Sequence, residues 1–251
     1  KPLAPSAINP NADVYTPDGQ EKTVDPKAMS IQEIQETVQE FKSAAQNAKD
    51  AGFDGVEIHS SNGYLIHQFF NKNSNQRTDE YGGSIPNRAR FFFEVLDAIN
   101  EVWPENRIGC RFNPSLHKIF GIVASEESIE TFDYIMEKLN AYDLAYVHLS
   151  EPFSDVSDVP YLITDIAKHY RKIYKGTLMI NAGFDRESGN KVIEDGDADL
   201  VSYAKWYISN PDLVERFENK WPLAEYNEDT FYTPGKEGYI DYPAYEEQRE
   251  S

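Results

Sequence analysis

Five short apolar runs recur along the chain, each followed by a segment of helical periodicity. This alternation restricts the fold more than any other feature. The runs span residues 55–59, 107–113, 144–150, 177–182 and 199–205. Strands that alternate with helices build a parallel sheet, because each helix serves as the crossover between two strands. Nearly continuous apolar strands further imply a sheet covered by helices. The helices have readable starts. Ser30-Ile31-Gln32-Glu33 is a capping box. It opens a helix with Ile34, Val38, Phe41, Ala45 and Ala48 on one face, and Gly52 suits its exit. Pro86 fits the first turn of the next helix, which turns Phe91, Val95, Ile99 and Val102 inward. Ser125 starts a third with Ile129, Phe132, Met136 and Leu139. Residues 161–174 read as a fourth with Ile166, Tyr170 and Ile173, and 186–194 as a short fifth. Asn210-Pro211 opens the last, with Leu213, Val214 and Phe217.

The length of 251 residues would suit a complete eight-stranded barrel, which takes about 250. Only five units are legible, and residues 1–29 are rich in Pro, Asn and Asp and read as an irregular lead-in loop. The chain therefore reads as one α/β domain over residues 1–251: about the last five βα units of a (β/α)8 TIM barrel, with the first three missing. The opening residue is Lys1 rather than Met, which agrees with residues missing upstream. The aromatic and acidic segment 221–251 is expected to pack on the barrel.

Net charge is −19, from 24 basic and 43 acidic residues. A surface of that sign repels nucleic acid and anionic lipid, so neither is an expected partner. No apolar stretch approaches the roughly 20 residues of a membrane span, and no signal peptide is legible. The single cysteine, Cys110, cannot form an intrachain disulfide and sits in an apolar run as a small buried hydrophobe. That usage points to the cytoplasm.

Chemistry is expected at the C-terminal ends of barrel strands. The first run leads straight into His59-Ser60-Ser61-Asn62-Gly63-Tyr64. An imidazole and a carboxamide three residues apart at a strand end can converge on one acceptor; the plainer alternative is a histidine satisfied by backbone. Tyr64 either offers a phenolic proton, which it carries at neutral pH, or opens the apolar stretch that runs to Phe69-Phe70. Arg111 alternates with apolar residues and should point into the barrel, where it needs a counter-charge. That charge is a ligand's, or else Glu57 or Asp199 forms an ion pair with it. Barrels often bind phosphate in the loops after the last two strands. There Ala182-Gly183 lets backbone N–H groups approach an anion, and Ala204-Lys205 brings a cation. His67, His117, His148 and His169 show no metal-ligand spacing, and no metal site is read. No Gly-x-Gly-x-x-Gly follows a strand, so no separate dinucleotide domain is expected.

The run 59–64 and the string Asn75-Gln76-Arg77-Thr78-Asp79-Glu80-Tyr81-Gly82-Gly83-Ser84 resemble the Old Yellow Enzyme family of FMN-dependent NADPH dehydrogenases and ene reductases. The resemblance covers nearly the whole chain. It implies FMN and NADPH as cofactors and, as substrate, the activated C=C bond of an α,β-unsaturated carbonyl or nitro compound. In the family, the residues matching His59 and Asn62 hold the substrate oxygen on which charge develops. The one matching Tyr64 protonates the substrate, and the one matching Arg111 lies beside the flavin and tunes it. The string 77–84 reads as a structural loop. The family usually has Gly-Arg where this chain has Ala204-Lys205, and a small or amide residue at Phe184, which implies an altered hold on the FMN phosphate. Phe231-Tyr232 matches a segment that closes on the active site, so Tyr232 is expected to line the substrate pocket or to pack on the barrel. Loops 115–122 and 152–160 differ from common members and bear on substrate choice. Two other functions keep the fold: a catalytically impaired homologue acting as a binding protein, and an isomerase that moves a double bond without net NADPH consumption. The expected partners are a small enone-type substrate, the missing N-terminal barrel segment and a second copy in a homodimer.

Overall fold

The computed structural model describes residues 1–16 and 19–245. Residues 246–251, the end of the expected C-terminal segment, lie outside the described residues. The lead-in holds β1 (Leu3–Ala4), β2 (Asp13–Thr16), β3 (Gly19–Lys22) and β4 (Lys27–Ala28). It is therefore not irregular throughout: β2 and β3 form an antiparallel pair, and β1 runs parallel to β4.

α1 (Ile31–Asp50) starts at the Ser30–Glu33 capping box, with both reciprocal bonds present. Then follow β5 (Val56–His59), α2 (Leu65–Phe70), α3 (Ile85–Asn100) and β6 (Ile108–Phe112). After them come α4 (Ser128–Leu139), β7 (Tyr146–Ser150), α5 (Ile166–Arg171) and β8 (Leu178–Asn181). The chain continues through α6 (Arg186–Glu194), β9 (Leu200–Ser202), α7 (Lys205–Ser209) and α8 (Leu213–Asn219). All five apolar runs are strands, paired parallel in sequential order from β5 to β9.

Several helix bounds differ from expectation for local reasons. The helix expected at 161–174 contracts to α5. Asp165 caps the Lys168 N–H, and the Glu151 carboxylate accepts from the N–H groups of Ile166 and Ala167. These three bonds define the start. α4 begins at Ser128 because Ser125 and Ser128 bond each other across a turn. α2 and α7 are additional short helices, and Val214, expected inside, is exposed.

The strands are not apolar on both faces. Ile58, Cys110, Phe112, Val147, Leu149, Leu178 and Ile180 are buried. They share one core with Ile34 of α1, Phe91 and Phe92 of α3, and Ile135 and Met136 of α4. Phe112 lies 5.2 Å from Phe92 and 6.1 Å from Phe70, ring centre to ring centre. Full burial of each such ring contributes about 2 kcal/mol. By strand alternation the opposite face carries Glu57, His59, Arg111, Tyr146, His148, Asn181 and Ser202. The sheet thus has an apolar side under the helices and a polar side left for chemistry. The outer edges of β5 and β9 have no strand neighbour among the described residues.

The string 75–84 ties these parts together. Arg77 donates to Pro5 O (2.9 Å) and Met29 O (2.5 Å) and pairs with Asp79, while the Asn75 amide bridges Phe69 O and Tyr81 O at 2.8 Å each. The described part of the C-terminal segment folds back on α7 and α8. Trp221 stacks on Tyr245 at 4.5 Å, Trp206 meets Tyr226 at 5.1 Å, and buried Arg216 pairs with Asp212 and donates to Pro222 O. Among the described residues no helix is long and apolar enough to cross a membrane.

Candidate active site

β5 delivers His59 at its C-terminal end, directly opposite Arg111 in the register with β6. The chain then turns through Ser61-Asn62-Gly63-Tyr64, with Tyr64 N–H donating to Ser61 O at 3.2 Å. Asn62 and Gly63 both have left-handed backbone, φ 56° and 78°. This is the pattern that Asn-Gly favours at the centre of a tight turn. The reversal folds Tyr64 back onto His59, ring centres 5.1 Å apart. Asn62 Oδ1 accepts from Asn113 Nδ2 at 3.4 Å, leaving its own amide hydrogens for another acceptor. His59 Nδ1 lies 3.3 Å from Ser61 Oγ. Burial and the nearby Arg111 charge both lower the His59 pKa, which favours the neutral ring.

Arg111 is the cation of this face. Its Nη2 donates to Asn181 Oδ1 at 3.2 Å, and its Nε is buried with no partner among the described residues. Neither expected ion pair forms. Glu57 bonds His148 Nδ1 at 2.9 Å, and Asp199 bonds Arg171 at 2.8 Å at the other end of the sheet. The reason is geometric. Glu57 lies opposite Gly109, and a Cβ there would fall 2.4 Å from the Tyr146 ring. The gap at Gly109 lets the Tyr146 ring lean across toward Glu57. Burial alone would raise the Glu57 pKa, but bonds and charge from His148, then Tyr146 and Arg111, hold it below the usual value. His148 Nε2 also bonds Ser202 Oγ at 2.8 Å, and Asn181 Nδ2 donates to Ser202 O at 3.0 Å. A polar floor thus runs from β5 to β9 beside Arg111. Asn181, Asn113 and His148 were not singled out as site residues by sequence reading. Alternation along their strands was the available signal.

The residues expected at a phosphate are dispersed in role. Ala182 and Gly183 are consecutive left-handed residues, φ 77° and 82°, at the end of β8. They border a cleft of about 790 Å³ that also carries Glu151, Asp155, Asp165 and Phe184. Ala204 caps α7, and Lys205 is already engaged: its ammonium pairs with Glu228 and sits 5.4 Å from the centre of the Tyr226 ring. Tyr232 is 98% exposed, so the structure leaves its ring in solvent rather than against the barrel or beside His59.

A buried guanidinium nitrogen without an acceptor, facing neutral donors, fits an electron-rich planar ligand such as a flavin at the His59–Arg111 end. A lysine already paired with a carboxylate is a poor fit to a phosphate at the Lys205 end.

Known proteins resemble this chain over most of its length. The family model of the NADH:flavin oxidoreductase / NADH oxidase family matches residues 3–224. 12-Oxophytodienoate reductase 2 of Arabidopsis thaliana is 41% identical over 222 residues, covering 88% of this chain and 59% of that protein. Among solved structures, morphinone reductase in complex with tetrahydroNAD superposes with a TM-score of 0.88 at 37% identity, over 97% of this chain and 66% of that one. An old yellow enzyme homologue from Zymomonas mobilis reaches 0.90 at 33% identity, over 97% and 68%. The chain thus spans roughly three-fifths of the length of the curated relatives it matches (59% of the Arabidopsis protein), and its five βα units are part of a (β/α)8 barrel. By the extent of the family match and the likeness of fold, the chain belongs to the NADH:flavin oxidoreductase / NADH oxidase family.

Proposed function

We propose that the chain carries the substrate-activating part of an FMN-dependent oxidoreductase. The enzyme takes reducing equivalents from NADPH and reduces the activated C=C bond of an α,β-unsaturated carbonyl or nitro compound. One observation supports this above the rest: His59, Asn62, Tyr64 and Arg111 gather at the C-terminal ends of two adjacent parallel strands. FMN, when bound, supplies the hydride acceptor and donor. Arg111 would hold the electron-rich side of its ring system, with Asn181 fixing the guanidinium.

Neutral His59 and the Asn62 amide donate two hydrogen bonds to the substrate's carbonyl or nitro oxygen. They stabilise the negative charge that develops there, and loss of one such donor typically costs about 10²- to 10³-fold in rate. Tyr64, 63% exposed and held against His59, gives its hydroxyl proton to the substrate carbon next to the activating group. The open edges of β5 and β9 call for further barrel strands as a partner. We assign a homodimer and a cytoplasmic location as part of the same proposal; the buried free thiol of Cys110 supports a reducing compartment.

A second reading, a flavin-barrel homologue that binds the cofactor weakly, is favoured by the Lys205–Glu228 pair alone. One experiment separates the two. The chain is incubated with FMN, desalted, and followed by visible absorption as NADPH and then 2-cyclohexenone are added anaerobically. A retained flavin band that bleaches with NADPH and returns with the enone supports the reductase. In that assay Tyr64→Phe is expected to slow the return by about 10²-fold or more and leave the bleaching rate intact. Equal loss of both phases would overturn the role of Tyr64. A cycle that isomerises substrate without consuming NADPH would support the isomerase.

A further inference from the structure

The side chains assigned to chemistry have few contacts of their own. Tyr64 is largely exposed, and His59 is its one ring neighbour among the described residues. Among the described residues the Asn62 side chain is tethered by the 3.4 Å bond from Asn113 alone. Their positions therefore depend on the backbone of the turn that carries them. That backbone is held in an unusual conformation, with two successive left-handed residues. Asn-Gly favours that conformation, so the turn forms locally, but how it sits against β5 depends on the support of the groups that hold it.

The support comes from α2. Gly63 N–H donates to His67 Nδ1 at 3.5 Å, and Gln68 Nε2 donates to Gly63 O at 2.7 Å. Gln68 N–H also donates to Tyr64 O at 3.0 Å, the first bond of the helix. The two side chains thus grip the Gly63 residue through its amide hydrogen and its carbonyl oxygen. His67 is itself immobilised: it is 3% exposed and meets Phe132 edge to face at 5.8 Å. From the other side, the turn rests on the loop at Phe120, whose carbonyl oxygen would lie 2.5 Å from a Cβ on Gly63. We propose that His67 and Gln68 are positioning residues, which fix the Gly63 backbone from the first turns of α2 and so hold Asn62 and Tyr64 in place beside His59. This rests on the proposed reductase function for its catalytic consequence, but not for its structural part.

The test uses His67→Leu, which removes the acceptor, and Gln68→Met, which removes the donor at similar length. His67→Asn is the conservative variant, since its amide oxygen can replace Nδ1 as acceptor. Two readouts are taken on each protein: amide hydrogen exchange of residues 61–65, and the separate rates of flavin reduction by NADPH and reoxidation by 2-cyclohexenone. The expected result is faster exchange in the turn for His67→Leu and Gln68→Met, and reoxidation slowed about 10- to 100-fold. Flavin reduction should change less than about twofold, and His67→Asn should restore both readouts. Unchanged exchange in Gln68→Met, at a half-buried site, overturns the inference. So does an equal fall in both rates. If the unmodified chain binds FMN but 2-cyclohexenone does not reoxidise it, the proposed function fails instead, and the exchange result alone decides the positioning role.

Discussion

Lowering the pH should destabilise this protein through His67 in a way that can be calculated. The imidazole is enclosed by α2, α4 and the loop after β6, and burial pushes its pKa down to about 3 from the ordinary 6.5. Protonation would also convert the acceptor of the Gly63 N–H into a donor. Between these two values the unfolded chain binds a proton that the folded chain refuses. Stability from this residue is therefore complete above about pH 6.5, falls as pH drops, and is constant again below about pH 3. At about pH 5 the loss is about 1.5 units at 1.36 kcal/mol each, or about 2 kcal/mol. The assay is urea unfolding of the unmodified chain and His67→Asn at about pH 7.5 and about pH 5. Asparagine does not titrate, so the difference between the two proteins should shift by about 2 kcal/mol in favour of the variant at the lower pH. The other titrating groups cancel in that double difference. A shift below about 0.5 kcal/mol, or an NMR titration of His67 with a midpoint near 6, would refute the reasoning.

Three further outcomes are expected. Arg111→Met should slow flavin reduction by about 10-fold or more, measured by rapid mixing, yet leave the urea midpoint equal or higher, because a half-buried cation with an unpartnered Nε and no carboxylate partner costs stability. Gly109→Ala should destabilise by about 1–3 kcal/mol, measured by urea unfolding, because its Cβ meets the Tyr146 ring at 2.4 Å and displaces the ring from Glu57. Glu228→Gln should release Lys205 and tighten FMN relative to riboflavin by about 3- to 10-fold, read by flavin fluorescence quenching; an unchanged ratio would show that Lys205 stands away from the phosphate.

Much of the architecture was readable from local chemistry. The capping box at Ser30 and Glu33 and the apolar faces of α1, α3 and α4 depend on residues a few positions apart, and each formed as its pattern required. The candidate site was legible where its residues lie on one short segment, as His59, Asn62 and Tyr64 do. It was not legible where partners come from different strands. Glu57 and His148 are 91 residues apart and meet across β6, where Gly109, opposite Glu57 on one side and Tyr146 on the other, carries no side chain. Lys205 is a cation in any reading, but Glu228 in the C-terminal segment neutralises it, and 23 residues of chain separate the two. The start of α5 moved for the same reason: a carboxylate from the loop after β7 captures its first N–H groups.

The sequence by itself determined the order and type of the five βα units, the turn at Asn62-Gly63, and the chemical groups placed at the end of β5. These follow from periodicity, backbone preference and functional group, all of which act over a few residues. Only the tertiary structure decided which charges are paired, which polar face the sheet keeps, and which of the expected site residues stand together. Those depend on strand register and on distances between groups remote in the chain, where one missing side chain or one competing carboxylate changes the partner.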